Sequence, residues 1–373
     1  MMISRADIRF PDLELPTERE RCRSSFAALD AGHRKCGPKD QSARFASPVS
    51  GEFVASFARK RKRDDAWAQC RSRGTLTMSK PAAPLQTASP AGPASAAYAW
   101  PAGKASAAWI SIDVDADTPL LWRLRETGDD GYLSEREQRQ YGLRAGLRHL
   151  LQVLARHEIR ATFFVPGLIA GRHPALLPEL VAAGHEVGLH GFAHEATREI
   201  STESFGEALE ASLATFVAQT GQRPAGFRAP GWELTRPMHA LLQEQGLYDS
   251  SLAGLDHPYT LDGVLELPVS WNREDTARFK MTGLDARWPP TSPVVVLQEW
   301  LFDWEACAAA GGLFTLTLHD WVSGRPGPAR VLDQLLARIC QDETAWITTG
   351  ADLAAHDRQL SPNRRRAFSS TGP

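Results

Sequence analysis

The residue types with the clearest chemical potential lie in one short stretch, where His190 is followed four positions later by His194. On a helical turn, side chains at this spacing project from the same face. Two neutral imidazoles on one face can share a single divalent metal ion. The stretch therefore predicts half of a metal site, although this pattern by itself is more often formed by solvated or core histidines.

A second candidate group closes an apolar run far upstream. Residues 108–112 are typical of a buried strand, and Asp113 and Asp115 follow it. Such a pair is also a common turn signal. The order of strand, carboxylates and later histidine pair nevertheless favours a facial site of two histidines and one aspartate. Sites of this kind leave metal positions open to water and substrate, so the pattern favours hydrolysis over a structural metal.

Composition limits the broad class of protein. Of the 373 residues, 43% are hydrophobic and 23% are charged, and the formal net charge of -2 argues against a general nucleic-acid binder. No apolar run reaches the ~18 residues that span a membrane, and the first residues lack the pattern of a signal peptide. The five cysteines are scattered without paired spacing, so we expect a cytoplasmic location.

The first 97 residues differ in composition from the remainder. Residues 1–77 contain three of the five cysteines and the basic run 59–63, and they show no sustained periodicity. The run is compatible with a nucleic-acid or nuclear-import patch, but a solvated disordered tail is the commoner reason for such a segment. Met78 is an alternative start of translation. We therefore expect three parts: an extension and flexible lead-in over 1–97 that is disordered or, before Met78, mis-annotated, a catalytic barrel over 98–358 and a tail over 359–373.

Strand and helix patterns alternate from residue 107 to residue 355. Seven apolar segments are strand candidates: 108–113, 160–165, 185–190, 225–229, 264–269, 313–318 and 345–348. Helical patterns cover 143–157, 174–183, 202–220, 236–246, 294–310 and 328–341. This alternation predicts a parallel α/β architecture, and the number of strands suggests a barrel. Functional residues of such barrels gather at the C-terminal strand ends, where both candidate groups lie.

Seven segments, taken in order, resemble the motifs of the polysaccharide deacetylase superfamily, the NodB-homology group that includes carbohydrate esterase family 4. They include the two stretches described above and occupy residues 111–115, 161–167, 184–195, 227–234, 248–252, 266–271 and 316–321. The resemblance covers roughly residues 98–355. It implies a distorted (β/α)7 barrel, in agreement with the strand count, and a metal-dependent amidase.

The resemblance assigns a metal site and a base to the first two groups. It implies that Asp115, His190 and His194 bind the metal, which in this family is most often zinc. Asp113 would be the general base that activates the attacking water. This division is physically sensible, because a carboxylate that donates to a metal has little basicity left.

Two further residues match catalytic positions of the family. His319 would protonate the leaving nitrogen, although a histidine after a strand can also be a capping or surface residue. Arg228 would pair with Asp113 and keep it ionised and oriented. A plain structural ion pair is an alternative interpretation of Arg228, and it involves the same partner.

Within the superfamily, the chain resembles a cytoplasmic branch of peptidoglycan-deacetylase-like proteins, cyclic imide hydrolases and allantoinase-like enzymes. The first motif reads Asp-Val-Asp, and neither Ser nor Thr follows His190. Members of this branch are usually homotetramers with sites enclosed by loops, which favours small substrates over polymers. We expect a carbohydrate or small amide substrate and, from the charge and the apolar runs, no nucleic-acid or membrane partner. Trp232 and Trp271 are candidate substrate-binding walls, although core packing is the commoner role of tryptophan.

The sequence thus predicts a metal-dependent hydrolase of carbon–nitrogen bonds other than peptide bonds, with Zn2+ as the expected ion. Two substrate classes stay open, namely N-acetylated sugars and small cyclic imides or ureides. The alternative from another class is a catalytically silent barrel that binds a carbohydrate. Retention of the base, the metal ligands, the arginine and the distal histidine argues against such a scaffold.

Overall fold

The structure, a computed structural model, describes residues 98–128, 133–280, 290–361 and 366–370. Within these ranges, apolar strands and amphipathic helices alternate around a mainly parallel sheet. The described residues all belong to one compact unit of the chain. The predicted extension over 1–97 lies outside the described residues, and the predicted boundary at residue 358 stays a prediction.

The sheet has ten strands within the described ranges. In chain order they are β1 (Ser106–Asp113), β2 (Thr162–Val165), β3 (Glu186–Leu189), β4 (Gly226–Phe227), β5 (Tyr248–Asp249), β6 (Tyr259–Leu261), β7 (Val264–Glu266), β8 (Leu313–His319), β9 (Ala345–Thr348) and β10 (Ala367–Phe368). Hydrogen bonds order them β10-β6-β7-β5-β4-β3-β2-β1-β8, with β9 paired to β1. Only the β6–β7 pair within these ranges is antiparallel. Every predicted strand overlaps an observed one, so the α/β prediction is confirmed.

Strand β1 lies at the centre of this arrangement because its sequence is apolar on both faces. All eight of its residues are buried, as expected for a parallel strand covered on both sides. One edge pairs with β8 over almost the whole strand, and the other pairs first with β9 and then with β2. The carboxyl end of β1 therefore lies between the carboxyl ends of β2 and β8.

The sheet curls, and an irregular segment continues it toward β8. Thr315 on β8 donates a hydrogen bond to the carbonyl of Pro268 at 2.7 Å. Further along, Glu274 forms a parallel bridge with Thr317, and the N–H of Asp275 donates to the Thr317 carbonyl at 3.2 Å. Residues 268–275 thus bring side chains from the end of β7 to the carboxyl end of β8. This irregular closure is the distortion that the sequence resemblance implied.

Helices surround the sheet on its outer side. Their bounds are α1 (Thr118–Leu124), α2 (Leu133–Tyr141), α3 (Leu147–Arg156), α4 (Gly167–Arg172), α5 (Leu176–Ala182), α6 (Thr202–Thr220), α7 (Arg236–Glu244), α8 (Thr276–Phe279), α9 (Pro293–Ala309), α10 (Pro326–Ile339) and α11 (Gly350–Gln359). A π-helical turn, Gly142–Gly146, joins α2 to α3. None of the helices in the described ranges is long and apolar enough to cross a lipid bilayer.

Helix α6 begins and ends where its capping residues predict. The Ser201 hydroxyl accepts a hydrogen bond from the N–H of Ser204 at 3.1 Å, which satisfies one of the unpaired N–H groups of the first turn. Gly221 follows the last residue with a φ of 69°, a left-handed conformation that glycine adopts without steric cost. The predicted helix over 202–220 is therefore confirmed at both ends.

Sequence patterns missed the shortest elements. The two-residue strand β5, the β6 strand of the hairpin and the edge strand β10 were not predicted, because such short segments cannot show a period of two. Tertiary pairing alone makes them strands. β5 matters most, since it lies between β4 and β7 and carries the buried residues Tyr248 and Asp249.

The interior near the amino ends of the strands is tightly packed around Tyr248. Its ring makes an edge contact with Trp109 at 6.3 Å between ring centroids, and its hydroxyl donates to Glu186 at 2.8 Å. A Cβ added to Gly226 would lie 2.0 Å from this ring. Gly226 is therefore required by the close approach of the fixed tyrosine.

Gly226→Ala tests this packing. We expect a loss of about 1–3 kcal/mol in the free energy of unfolding, which is the usual cost of overpacking a core, because Glu186 fixes the tyrosine ring. Urea denaturation measures it. Gly171→Ala is the matched control, since a Cβ there meets nothing within 4 Å and alanine favours a helix. An unchanged unfolding midpoint for Gly226→Ala would contradict the packing argument.

Candidate metal centre and active site

Six predicted side chains come together at the carboxyl edge of the sheet. Asp113 ends β1, Asp115 follows it by two residues, and His319 ends β8. His190 and Arg228 directly follow β3 and β4. Parallel strands present their carboxyl ends at one edge, so these residues meet although they are far apart in the chain. His194 lies four residues beyond His190 and completes the group.

Asp115, His190 and His194 have donor atoms close enough together to share one metal ion. One donor atom from each lies within 4.8 Å of the other two. The Nε2 atom of His190 is 3.3 Å from Asp115 Oδ1, and that of His194 is 3.5 Å from Asp115 Oδ2. Asp115 Oδ1 is buried and accepts no hydrogen bond. A cation between these atoms would satisfy a carboxylate oxygen that is otherwise costly to bury.

A hydrogen bond orients the ring of His190 as a metal ligand. Its Nδ1 atom lies 2.8 Å from the carbonyl oxygen of Arg228. A carbonyl only accepts hydrogen bonds, so Nδ1 carries a proton, and Nε2 is the ring nitrogen that faces Asp115. Two imidazoles and one carboxylate are donors that Zn2+ and similar ions accept.

The histidine pair lies on a loop, so the predicted helical turn is wrong. Residues 190–196 have no helical structure, and Gly191 and His194 have φ values of 67° and 59°, which a right-handed helix excludes. The buried Glu195 carboxylate accepts hydrogen bonds from the N–H groups of Phe192 and Ala193 at 3.0 and 2.8 Å. Glu195 thus holds the loop in the shape that turns His194 back toward Asp115.

Asp113 pairs with a fully buried arginine. Arg228 Nη1 donates to Asp113 Oδ1 at 2.8 Å and to the Ser111 hydroxyl at 2.9 Å. The other donors of the guanidinium reach the carbonyl and hydroxyl of Ser250 at 3.0 and 2.9 Å. Its face lies over the Phe164 ring at 4.3 Å. The arginine therefore holds the Asp113 carboxylate in one orientation.

His319 is oriented by a residue that the sequence analysis did not single out. Asp275 accepts from His319 Nδ1 at 2.7 Å and from the His319 backbone N–H at 2.8 Å. The opposite ring nitrogen, Nε2, lies 3.6 Å from Asp115 Oδ2 and lines the cavity. Glu274 Oε1 lies 3.5 Å from Nδ1. His319 therefore presents Nε2 to the site, while two carboxylates stand behind it.

These neighbours set opposite pKa shifts in the site. Burial alone would lower the pKa of His319, but Asp275, Asp115 and Glu274 together raise it well above its ordinary value. Burial likewise would raise the pKa of Asp115, but the imidazoles of His194 and His319 hold it well below its ordinary value. The site thus favours a charged imidazole beside a charged carboxylate.

A signal for Asp275 was present in the sequence. Glu274 and Asp275 form an acidic pair a few residues after the predicted strand 264–269, and carboxylates after strands were the basis for choosing Asp113 and Asp115. The pair was missed because the connection between strand and acids is irregular. Ser111 and Ser250, which share the arginine, carry no comparable signal, since buried serines are common.

The site opens into a cavity of about 570 Å³. Trp232 and Trp271 line it side by side, with ring centroids 4.4 Å apart. Trp271 is 59% exposed, so these rings form a wall and not part of the core. Arg139 and Lys280 also line the cavity and add positive charge that the sequence analysis did not anticipate.

Comparison of the sequence with known proteins provides evidence that does not depend on the geometry of the site. The polysaccharide deacetylase family model matches residues 127–249. A peptidoglycan deacetylase from Helicobacter pylori is 26% identical over 272 residues, which cover 64% of this chain and 92% of that protein. The peptidoglycan deacetylase-like protein FGM2 from Gibberella zeae is 26% identical over 267 residues, or 61% of this chain and 79% of its own.

Solved structures extend the match to the whole barrel. A Mycobacterium smegmatis protein assigned to the polysaccharide deacetylases is 32% identical, has a TM-score of 0.67, and is matched over 95% of its length and 71% of this chain. The Puue allantoinase has the same fold, with a TM-score of 0.62 at 21% identity over 70% of this chain and 93% of its own.

The relatives and the fold agree with the motifs at the carboxyl edge of the sheet. The predicted barrel of the NodB-homology type is therefore confirmed. Deacetylases of this kind are hydrolases of amide bonds, and the chain falls in the class that acts on carbon–nitrogen bonds other than peptide bonds. The chain belongs to the polysaccharide deacetylase family.

Proposed function

We propose that the chain is a metal-dependent amide hydrolase that removes the acetyl group from an N-acetylated amino sugar. The observation that supports this most is the convergence of three groups on one cavity. They are the Asp115, His190 and His194 donor atoms, the Asp113–Arg228 ion pair and the His319–Asp275 pair. Together they offer a cation site, a base and an acid.

The cation site suits zinc. Two imidazoles and a carboxylate leave coordination positions free, as in catalytic zinc sites. A divalent ion held there supplies a Lewis acid that polarises the amide carbonyl and acidifies water. Asp115, His190 and His194 would hold it, and the cavity gives substrate access to the same point.

Asp113 accepts the proton of the attacking water. Its Oδ1 is bound to Arg228 at 2.8 Å, which leaves Oδ2 available, and that oxygen lies 3.9 Å from His190 Nε2. The arginine fixes the direction of the carboxylate. Asp115 has a different role because its oxygens face imidazoles and no arginine.

His319 donates a proton to the leaving nitrogen. The carboxylates behind its ring raise its pKa well above the ordinary value, against the effect of burial. These carboxylates favour the charged ring, in which Nε2 carries a proton that can be passed to an amine. Asp275 acts through His319, as a positioning residue.

The substrate class rests on the relatives and on the cavity. Two of the relatives are named peptidoglycan deacetylase or peptidoglycan deacetylase-like, which favours an N-acetylated sugar or a peptidoglycan fragment. The cavity, walled on one side by the two tryptophans, offers aromatic surface for a sugar ring. It equally fits a small cyclic imide or ureide, which is the second candidate.

A catalytically silent carbohydrate-binding barrel is the remaining alternative. Such a scaffold has no need for a buried arginine on Asp113 or for the His319–Asp275 pair. We also propose a homotetramer in the cytoplasm, by analogy with the branch that the sequence resembles. Light scattering and cell fractionation test these two points.

A substrate panel tests the function. The zinc-loaded chain is assayed with N-acetylglucosamine oligomers, peptidoglycan fragments, succinimide and allantoin. We expect acetate release from the sugars. Turnover of only a cyclic substrate would replace the deacetylase proposal with ring hydrolysis, and no turnover with the metal bound would support the silent scaffold.

The variant Asp113→Asn tests whether Asp113 is the general base or a metal ligand. We expect about 10²–10⁴-fold lower kcat, the usual value of a general base, with metal content unchanged because Asp113 is outside the ligand group. Activity assays and elemental analysis measure the two effects. His190→Ala is the contrasting variant and loses both metal and activity. Loss of the metal in Asp113→Asn would mean that the two aspartates have exchanged roles.

The variant Asp275→Asn tests whether His319 is the general acid. The active form of His319 is protonated, so kcat falls as pH rises through its pKa. Asp275 raises the pKa of His319, so its replacement by asparagine lowers that pKa. The basic limb of the kcat profile therefore moves to lower pH. Glu274→Gln is the matched control with a smaller shift, since Glu274 lies 3.5 Å from Nδ1 and Asp275 lies 2.7 Å away. An unmoved limb in Asp275→Asn would exclude His319 as the acid.

A further inference from the structure

Three buried side chains converge at a second place in the barrel, apart from the catalytic cavity. His239 lies on α7, Asp249 on β5 and Glu266 on β7, and none of them lines the cavity around His319. One donor atom of each lies within 4.8 Å of the other two. We infer that these residues form a second divalent cation site with a structural role. The inference does not depend on the proposed function.

The backbone places the two carboxylates side by side. Asp249 and Glu266 are register partners on neighbouring parallel strands, so their side chains project from the same face of the sheet. His239 reaches them from the helix packed on that face. The exposed fractions are 6% for His239 and 0% for both acids. Water therefore does not solvate these groups from the surface.

Each carboxylate has one oxygen engaged and one oxygen without a partner. Asp249 Oδ1 accepts from the Ser251 hydroxyl at 2.6 Å. Glu266 Oε1 accepts from the N–H groups of Ser251 and Leu252 at 3.1 and 3.0 Å. Asp249 Oδ2, Glu266 Oε2 and His239 Nε2 are all buried without a hydrogen-bond partner. Each of the three elements therefore contributes one buried donor atom that lacks a hydrogen-bond partner.

No lysine or arginine among the described residues offsets the two carboxylates of the cluster, and His239 is the basic group beside them. Asp113 has Arg228, but neither Asp249 nor Glu266 forms an ion pair with a lysine or arginine in the described ranges. Two buried carboxylates without compensation are strongly disfavoured. A proton shared by the acids would satisfy two of the three free atoms and leave His239 Nε2 without a partner. One divalent cation would satisfy all three and balance the two negative charges.

The donor set indicates the class of ion. One imidazole nitrogen and two carboxylate oxygens suit Zn2+, Mn2+ or Fe2+, whereas Mg2+ and Ca2+ prefer oxygen-only sites. The ion would tie α7 to β5 and β7. It would also fix the turn after β5, because Asp249 and Glu266 hold Ser251 and Leu252. Ser250 in the same turn binds Arg228, so the second site would support the catalytic ion pair from behind.

Metal counting on the full chain tests the inference. The protein is loaded with Zn2+, and gel filtration removes the excess ion. Elemental mass spectrometry then gives the number of zinc ions per chain. We expect two ions per chain in the wild type, one in His190→Ala, one in His239→Ala and none in the double variant. His185→Ala is the matched control, since this half-buried histidine lies outside both groups, and it keeps two ions.

Folding and ligand identity are checked separately. Glu266→Gln keeps the size of the side chain and its acceptor oxygen, so circular dichroism should show a folded chain that holds one ion. X-ray absorption of zinc-loaded His190→Ala should show one imidazole and oxygen donors around the remaining ion. A wild type with a single ion, or Glu266→Gln with two, would overturn the second site and leave a shared proton as the explanation.

Discussion

The buried guanidinium of Arg228 is the constraint on which the carboxyl edge of the barrel depends. An arginine without contact to water must find partners for its charge and its donors, and it finds them in Asp113, Ser111 and Ser250. The carbonyl of the same residue fixes the ring of His190. One residue therefore orients both the proposed base and a proposed metal ligand, and it can do so because β4 lies next to β3.

Two carboxylates separated by one residue receive different roles from their surroundings. Asp113 ends β1 and faces an arginine, whereas Asp115 lies beyond the strand and faces imidazoles. The first has one oxygen bound by the arginine and keeps the other for a proton. The second has a buried oxygen without a hydrogen bond and therefore suits a cation. On the neighbouring strand β8, His319 has Asp275 behind its ring, and this carboxylate raises the pKa of the histidine.

Sequence patterns succeeded where the signal is local and strong. Long apolar strands such as β1 and β8 and the capped helix α6 follow directly from composition and capping residues. Sequence patterns failed where strand pairing or contacts within a loop determine the structure. β5 is too short to show periodicity, and the His190–His194 segment is a loop because Glu195 binds its N–H groups and Gly191 and His194 have positive φ. Neither contact is visible in a pattern of residue types.

The sequence by itself determined the order of motifs, the α/β class and the residue types gathered at the strand ends, because hydrophobic periodicity and motif spacing are properties of the chain. Only the tertiary structure decided which polar atoms face one another. Asp275 behind His319 and the cluster of His239, Asp249 and Glu266 depend on contacts between distant elements. Distances of a few ångströms and the exclusion of water set these interactions, and neither is encoded in local spacing.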